Sequence, residues 1–333
     1  MRIEDYLAKL DRRLEKERRA GGVRPETIAE VEHLAWAFMN GGDAHTASLL
    51  WERDFEVRRT QLGPELPETL QLAGLLGEAL RRAGELERAR ALLAGTVEAM
   101  GRVFGEDDYI TLANTNNYAL ALDGLGEHEK ARDLYRRILP PIHRLLGDEH
   151  PEVLLMDRNL TSSLQALGDL RGARPIYERM LAVQRRTLGD DHPDTLQTIN
   201  NLGATVAQLS DPQRARVLLQ EAVDGRRATL GADHPDTQLA MINLGRVLID
   251  LGDRTRARRV LQEVFEQRAD TLGLDHDDTR EAMIALAPTL PELAPGVFVV
   301  PAPGVEQPRL VPVKDEPDDE PPDERKERWW RRS

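Results

Sequence analysis

The 333-residue chain contains no cysteine, which excludes disulfides, thiolate metal sites and thiol nucleophiles. Lysine is nearly absent: of 45 basic residues, only Lys9, Lys16, Lys130, Lys314 and Lys326 are not arginine. Arginine pairs such as Arg12-Arg13, Arg58-Arg59, Arg185-Arg186 and Arg226-Arg227 therefore reflect a chain-wide bias rather than a basic patch. No stretch approaches 18 uncharged apolar residues, and the N-terminus MRIEDYLAKLDRRLEKERRA carries charge throughout, so neither a spanning helix nor a secretory leader is expected. The composition points to a cytoplasmic protein without integral membrane contact. A net charge of −13 repels a phosphate backbone and argues against nucleic acid. The phosphate-loop, GxSxG and HExxH patterns are all missing, and the carboxylates are scattered along helix faces, so no catalytic residue, cofactor or metal is assigned.

Against these absences stands a strict period. Gly63, Gly105, Gly147, Gly189, Gly231 and Gly273 are each 42 residues apart, each preceded by Leu or Phe. On the same period fall Ala47, Ala89, Ala131, Ala173, Ala215 and Ala257, which implies close helix approach. Leu50, Leu92, Leu134, Ile176, Leu218 and Val260 form an apolar column expected to face a shared core. A third column, Gly42, Gly84, Gly126, Gly168, Ser210 and Gly252, is followed each time by an acid: a helix stop, then a helix start. Pro25, Pro67, Pro151, Pro193 and Pro235 open the other helix in five of the six blocks, where the missing amide proton costs nothing. Each block thus reads helix A, tight turn, helix B, longer turn.

The expected organisation is an N-terminal capping helix over 1–21, six blocks over 22–273, a capping half-block over 274–290 and a Pro-rich acidic tail over 291–333. Half of the 20 prolines fall in the last 46 residues, and that composition predicts a disordered segment.

Segments such as DDHPDTLQTINNLGATVAQLSDPQRARVLLQEAVDGRRATLG, Asp190 to Gly231, resemble the tetratricopeptide repeats, specifically the 42-residue variety of kinesin light chains. The resemblance covers residues 22 to about 287 and implies an all-α, right-handed superhelical solenoid of helix-turn-helix repeats. It also implies a concave groove lined by helix A that binds proteins or extended peptides.

His150, His192, His234 and His276 share one column, but equivalent residues of stacked helices lie more than about 8 Å apart, whereas zinc ligands sit about 2 Å from one ion. The row is read as turn structure beside proline. Asn117, Asn159, Asn201 and Asn243 form a helix A column, interrupted by His33 and Leu75 before it and Ala285 after it. In the family the corresponding positions grip peptide backbone, and an amide both donates and accepts. Capping or bridging of neighbouring backbone beside a helix-helix contact is the alternative role. Asn114, Arg158, Gln197, Gln208 and Arg246 lie about one turn away and complete the candidate peptide site. Trp36, Phe38, Trp51 and Phe55 are read as core or cap.

The tail ends in Trp329, Trp330, Arg331 and Arg332, a candidate contact. Kinesin-light-chain-type repeats accept tryptophan-plus-acid peptides, so the resemblance makes this tail a candidate internal ligand that autoinhibits the groove. The leading expectation is a non-catalytic adaptor or regulatory scaffold. Two other readings stay open: a regulatory or sensor component of a bacterial signalling or defence system acting on a separate ATPase or protease, and a structural oligomer.

Overall fold

The structure is a computed structural model that describes residues 3–290, 297–300 and 309–312. The chain falls into two compact units, Met1–Thr229 and Leu230–Ser333. In the first, α1 (Ile3–Arg19) precedes the A helices α2 (Pro25–Asn40), α4 (Pro67–Arg82), α6 (Tyr109–Gly124), α8 (Pro151–Ala166) and α10 (Pro193–Gln208). These alternate with the B helices α3 (Ala44–Gln61), α5 (Leu86–Val103), α7 (His128–Leu146), α9 (Leu170–Thr187) and α11 (Pro212–Leu230), the last of which ends at the border of the unit. The second unit holds α12 (Pro235–Asp250), α13 (Arg254–Leu272) and α14 (Asp277–Leu286), followed by a 3-10 turn over Ala287–Thr289.

Every A helix begins 42 residues after the previous one, and the reason is visible at its first turn. Pro at the first position fixes φ, and the histidine row supplies the cap: His150, His192, His234 and His276 each accept, through Nδ1, the backbone N–H two residues on, at 3.1–3.2 Å. In α6, where Tyr109 replaces the proline, Asp108 takes the Ile110 N–H at 2.8 Å. At the B helices an aspartate caps and a glutamate does not. Asp43 and Asp169 each accept a backbone N–H at 2.9 Å, whereas Glu85 and Glu127 make no capping bond and reach for arginine and lysine.

The alanine column is buried without exception, 0% exposed in all six blocks. The apolar column three residues further on proves shallower than expected, with Leu92, Leu134, Ile176 and Val260 only half-buried. The deep column is one residue later: Trp51, Leu93, Tyr135, Tyr177, Leu219 and Leu261 are all 2% exposed or less. A one-residue step turns a helix by about 100°, enough to exchange rim for core. Glycine on helix A makes room for the leucines of this column, since a Cβ at Gly77, Gly203 or Gly245 would meet Leu93, Leu219 or Leu261 at 2.4–2.8 Å.

Within three blocks of the first unit, Arg102, Arg144 and Arg186 donate to Glu65, Asp107 and Glu149 at 2.5–3.2 Å, one rung of opposite charge in each. The capping helix α1 buries Leu7, Leu10 and Leu14. Its Glu17, 7% exposed, accepts hydrogen bonds from the Arg24 backbone and guanidinium, Thr27 and Arg13. Trp51 is core, packed edge-to-face on Trp36 with ring centroids 5.2 Å apart, while Trp36 itself is 40% exposed.

Among the described residues of the tail, β1 (Val297–Val300) and β2 (Arg309–Pro312) pair antiparallel, Val297 opposite Pro312. Branched apolar residues suit strand backbone, and Pro is tolerated at a ladder's end. Trp329, Trp330, Arg331 and Arg332 lie outside the described residues.

Candidate functional site

In the first unit a cavity of about 460 Å³ opens between the A helices α8 and α10, with α9 beneath. Three of the sequence candidates line it: Arg158, Gln197 and Asn201. Its apolar lining comes from Leu154, Leu155, Tyr177, Met180 and Leu188, of which Leu155 and Leu188 are 41% and 43% exposed and so open to a ligand. The Arg158 guanidinium is exposed and has no hydrogen bond or ion pair among the described residues, unlike most arginines here.

Four lining residues, Tyr177, Met180, Gln184 and Thr187, come from helix B and escaped the sequence reading. Tyr177 is 2% exposed and donates its hydroxyl proton to Gln165 Oε1 at 2.9 Å. Burial pushes its hydroxyl above the usual range, while contacts from Thr161 and Asn201 pull the other way. Gln184 is 5% exposed, and its Oε1 has no partner among the described residues. A buried acceptor left unpaired costs about 1–3 kcal/mol. A signal for Gln184 did exist: its column reads Arg58, Met100, Ile142, Gln184, Arg226 and Arg268, polar where two blocks are apolar.

The asparagine column does not behave uniformly. Asn159 Nδ2 donates to Asn116 Oδ1 on α6 at 3.2 Å, so this residue bridges neighbouring A helices. Asn201 Oδ1 accepts from Gln197 Nε2 at 3.0 Å and from Asn200 Nδ2 at 3.4 Å. Asn117 is half-buried and makes no side-chain hydrogen bond among the described residues. Asn114 turns back onto its own helix, donating to the Ile110 carbonyl at 2.8 Å, and lodges where Gly74 of α4 lacks a side chain. Gln208 is exposed at the end of α10. Asn243 and Arg246 belong to the second unit, where Arg246 pairs with Glu281 at 3.2 Å.

Directly behind the cavity wall, Asp157 is 0% exposed on α8 and receives Arg179 of α9 at 2.6 Å. No group of three or more His, Asp or Glu side chains among the described residues is arranged to hold a metal. No helix of the described residues is long and apolar enough to cross a membrane. The arrangement offers amide donors and acceptors, apolar side chains and one cation without a partner among the described residues.

Tetratricopeptide repeat models match residues 68–140 and 152–228, and a second such model matches residues 237–278. No curated protein sequence matches. Among solved structures, kinesin-light-chain TPR-like repeats from Podosopora anserina are 26% identical over 62% of this chain and 98% of that one, with a TM-score of 0.55. BtubC from P. vanneervenii is 20% identical, covering 83% of this chain and 95% of its own, with a TM-score of 0.53. The STAND signal-transduction ATPase with a tetratricopeptide repeat sensor from Pyrococcus horikoshii is 14% identical, covering 79% of this chain and 38% of that one, with a TM-score of 0.61. The last two likenesses concern the fold alone. With its 42-residue helical hairpins and these matches over more than half its length, the chain belongs to the tetratricopeptide repeat family, in its kinesin-light-chain-like form.

Proposed function

We propose that this protein is a non-catalytic adaptor or regulatory scaffold that holds an extended segment of another protein along its A helices, anchored at the cavity between α8 and α10. A tetratricopeptide scaffold speaks for protein interaction in general. The observation that carries the particular site is Gln184. Its Oε1 is buried, without a partner among the described residues, in the wall of a cavity that also offers the apolar Leu154, Leu155, Met180 and Leu188. A bound segment that brings an N–H or O–H to this acceptor and an apolar side chain to Leu155 and Met180 satisfies both at once. Asn159 and Asn201 lie at equivalent positions on α8 and α10 to engage its backbone.

The test is selection of binders to the full chain from a random peptide library, followed by Asn159→Ala with Asn201→Ala. The double variant is expected to lose at least tenfold in affinity with helical content unchanged. Unaltered affinity would remove the asparagines from the site, and a library that yields no binder would remove the site itself.

A further inference from the structure

The geometry points to Arg226, a buried residue of α11 that does not line the cavity, as the positioning residue that locks Asn201 as a hydrogen-bond donor toward the bound segment. The inference rests on the reading of the A helices as a binding face and adds to it a fixed polarity.

A primary amide has nearly the same shape either way round, so its orientation is set only by a partner of one-sided chemistry. Arginine is such a partner, because it donates and never accepts. Arg226 is 2% exposed, and its guanidinium donates to Gln197 Oε1 at 2.5 Å. Gln197 must therefore present its carbonyl to α11 and its amino group to its own helix, where Nε2 donates to Asn201 Oδ1 at 3.0 Å. Asn200 Nδ2 approaches the same oxygen at 3.4 Å. An amide oxygen has two lone pairs, and both are now engaged. What Asn201 has left for a ligand is N–H.

A second chain of hydrogen bonds ends on the backbone of Asn201. Tyr177 donates to Gln165 Oε1 at 2.9 Å, Gln165 Nε2 to Thr205 Oγ1 at 3.5 Å, and Thr205 to the backbone carbonyl of Asn201 at 2.7 Å. Chains of hydrogen bonds running one way polarise and support each other. The α8 rung has no such anchor. Asn159 and Asn116 are both amides, so this pair can turn over together and present either group. The face thus combines a rung that demands a carbonyl, at Asn201, with a rung that accommodates either group, at Asn159. An extended segment exposes N–H and C=O alternately along one edge, so a fixed donor selects its register.

The experiment uses the full chain and a peptide selected on it from a random library. Aspartate at either rung supplies oxygen acceptors only. Asn201→Asp is expected to lose at least tenfold in affinity, since a carboxylate faces the peptide carbonyl, whereas Asn159→Asp loses less than threefold because Asn116 turns over to donate. Gln197→Glu keeps the Arg226 contact but has no proton for Asn201, and it should bring the Asn201→Asp and Asn159→Asp losses within threefold of each other. Because the readout is a ratio between two variants, a general loss of stability moves both and leaves it intact. Equal losses for the two single aspartates overturn the polarity, and a ratio unchanged by Gln197→Glu overturns the lock. Indifference to both aspartates would mean that the peptide does not use these rungs, which removes the asparagines from the site and overturns the inference.

Discussion

The Asp157 carboxylate, with no exposed surface, meets the Arg179 guanidinium at 2.6 Å and lies 3.5 Å from His143 Nε2, while its Oδ2 has no partner among the described residues. Its column elsewhere carries Val31, Ala73, Thr115, Ile199 and Met241. The charge thus occupies a core position that five other blocks fill without one. Removing only the cation leaves a buried charge, so Arg179→Ala should destabilise by about 2 kcal/mol, below the usual buried-pair cost because Arg179 is itself 44% exposed. Asp157→Ile should change stability by less than about 1 kcal/mol, or raise it. Chemical denaturation of the two variants checks the pair: comparable losses would show that the carboxylate is needed for itself.

Glu17 makes the docking of α1 acid-sensitive. Its burial opposes ionisation, but the hydrogen bonds from Arg24, Thr27 and Arg13 outweigh that and hold its carboxyl at about 2, against an ordinary 4.5. A folded pKa below the unfolded one contributes stability above the unfolded value and loses it as protons bind. The contribution should therefore be complete above about pH 4.5 and fade between there and about pH 2. Amide hydrogen exchange of α1 across that interval should show protection falling with pH in the native chain and much less slope in Glu17→Gln. Equal slopes would place the acid response elsewhere.

Among the described residues Ser210 is the one non-glycine with positive φ, at 64°, in a column that is otherwise glycine. An L-residue pays roughly 1–2 kcal/mol in that region, and glycine returns part of the gain as chain entropy, so Ser210→Gly should stabilise by about 0.5–1 kcal/mol. The opposite outcome is expected at Gly203→Ala, whose Cβ would lie 2.8 Å from Leu219 Cγ and should cost about 1–3 kcal/mol. Thermal unfolding of both variants decides; a tolerated Gly203→Ala would mean that the leucine moves aside freely.

Period, hairpin and helix starts were legible because each depends on residues close together in sequence: proline at the first position, histidine or aspartate before it, glycine after the last turn. The core column was misplaced by one residue since Leu92 and Leu93, like Leu218 and Leu219, are both apolar, and pattern alone does not say which faces inward. The site was half legible. Arg158, Gln197 and Asn201 follow from position on helix A, whereas Tyr177 and Gln184 reach the cavity from helix B, a depth that only packing reveals. Orientation of an amide was not legible at all, because Arg226 acts on Asn201 through Gln197 from 29 residues beyond it.

The rungs Arg102–Glu65, Arg144–Asp107 and Arg186–Glu149 join residues 37 apart, so each falls inside a single 42-residue block. Excision or duplication of one whole block therefore removes or adds one complete charge pair and orphans none. Length in this molecule is quantised: a gene that gains or loses 126 nucleotides, three per residue of the block, gains or loses one pair whole. An insertion or deletion between the acid and the arginine of one block separates that pair and leaves its neighbours intact.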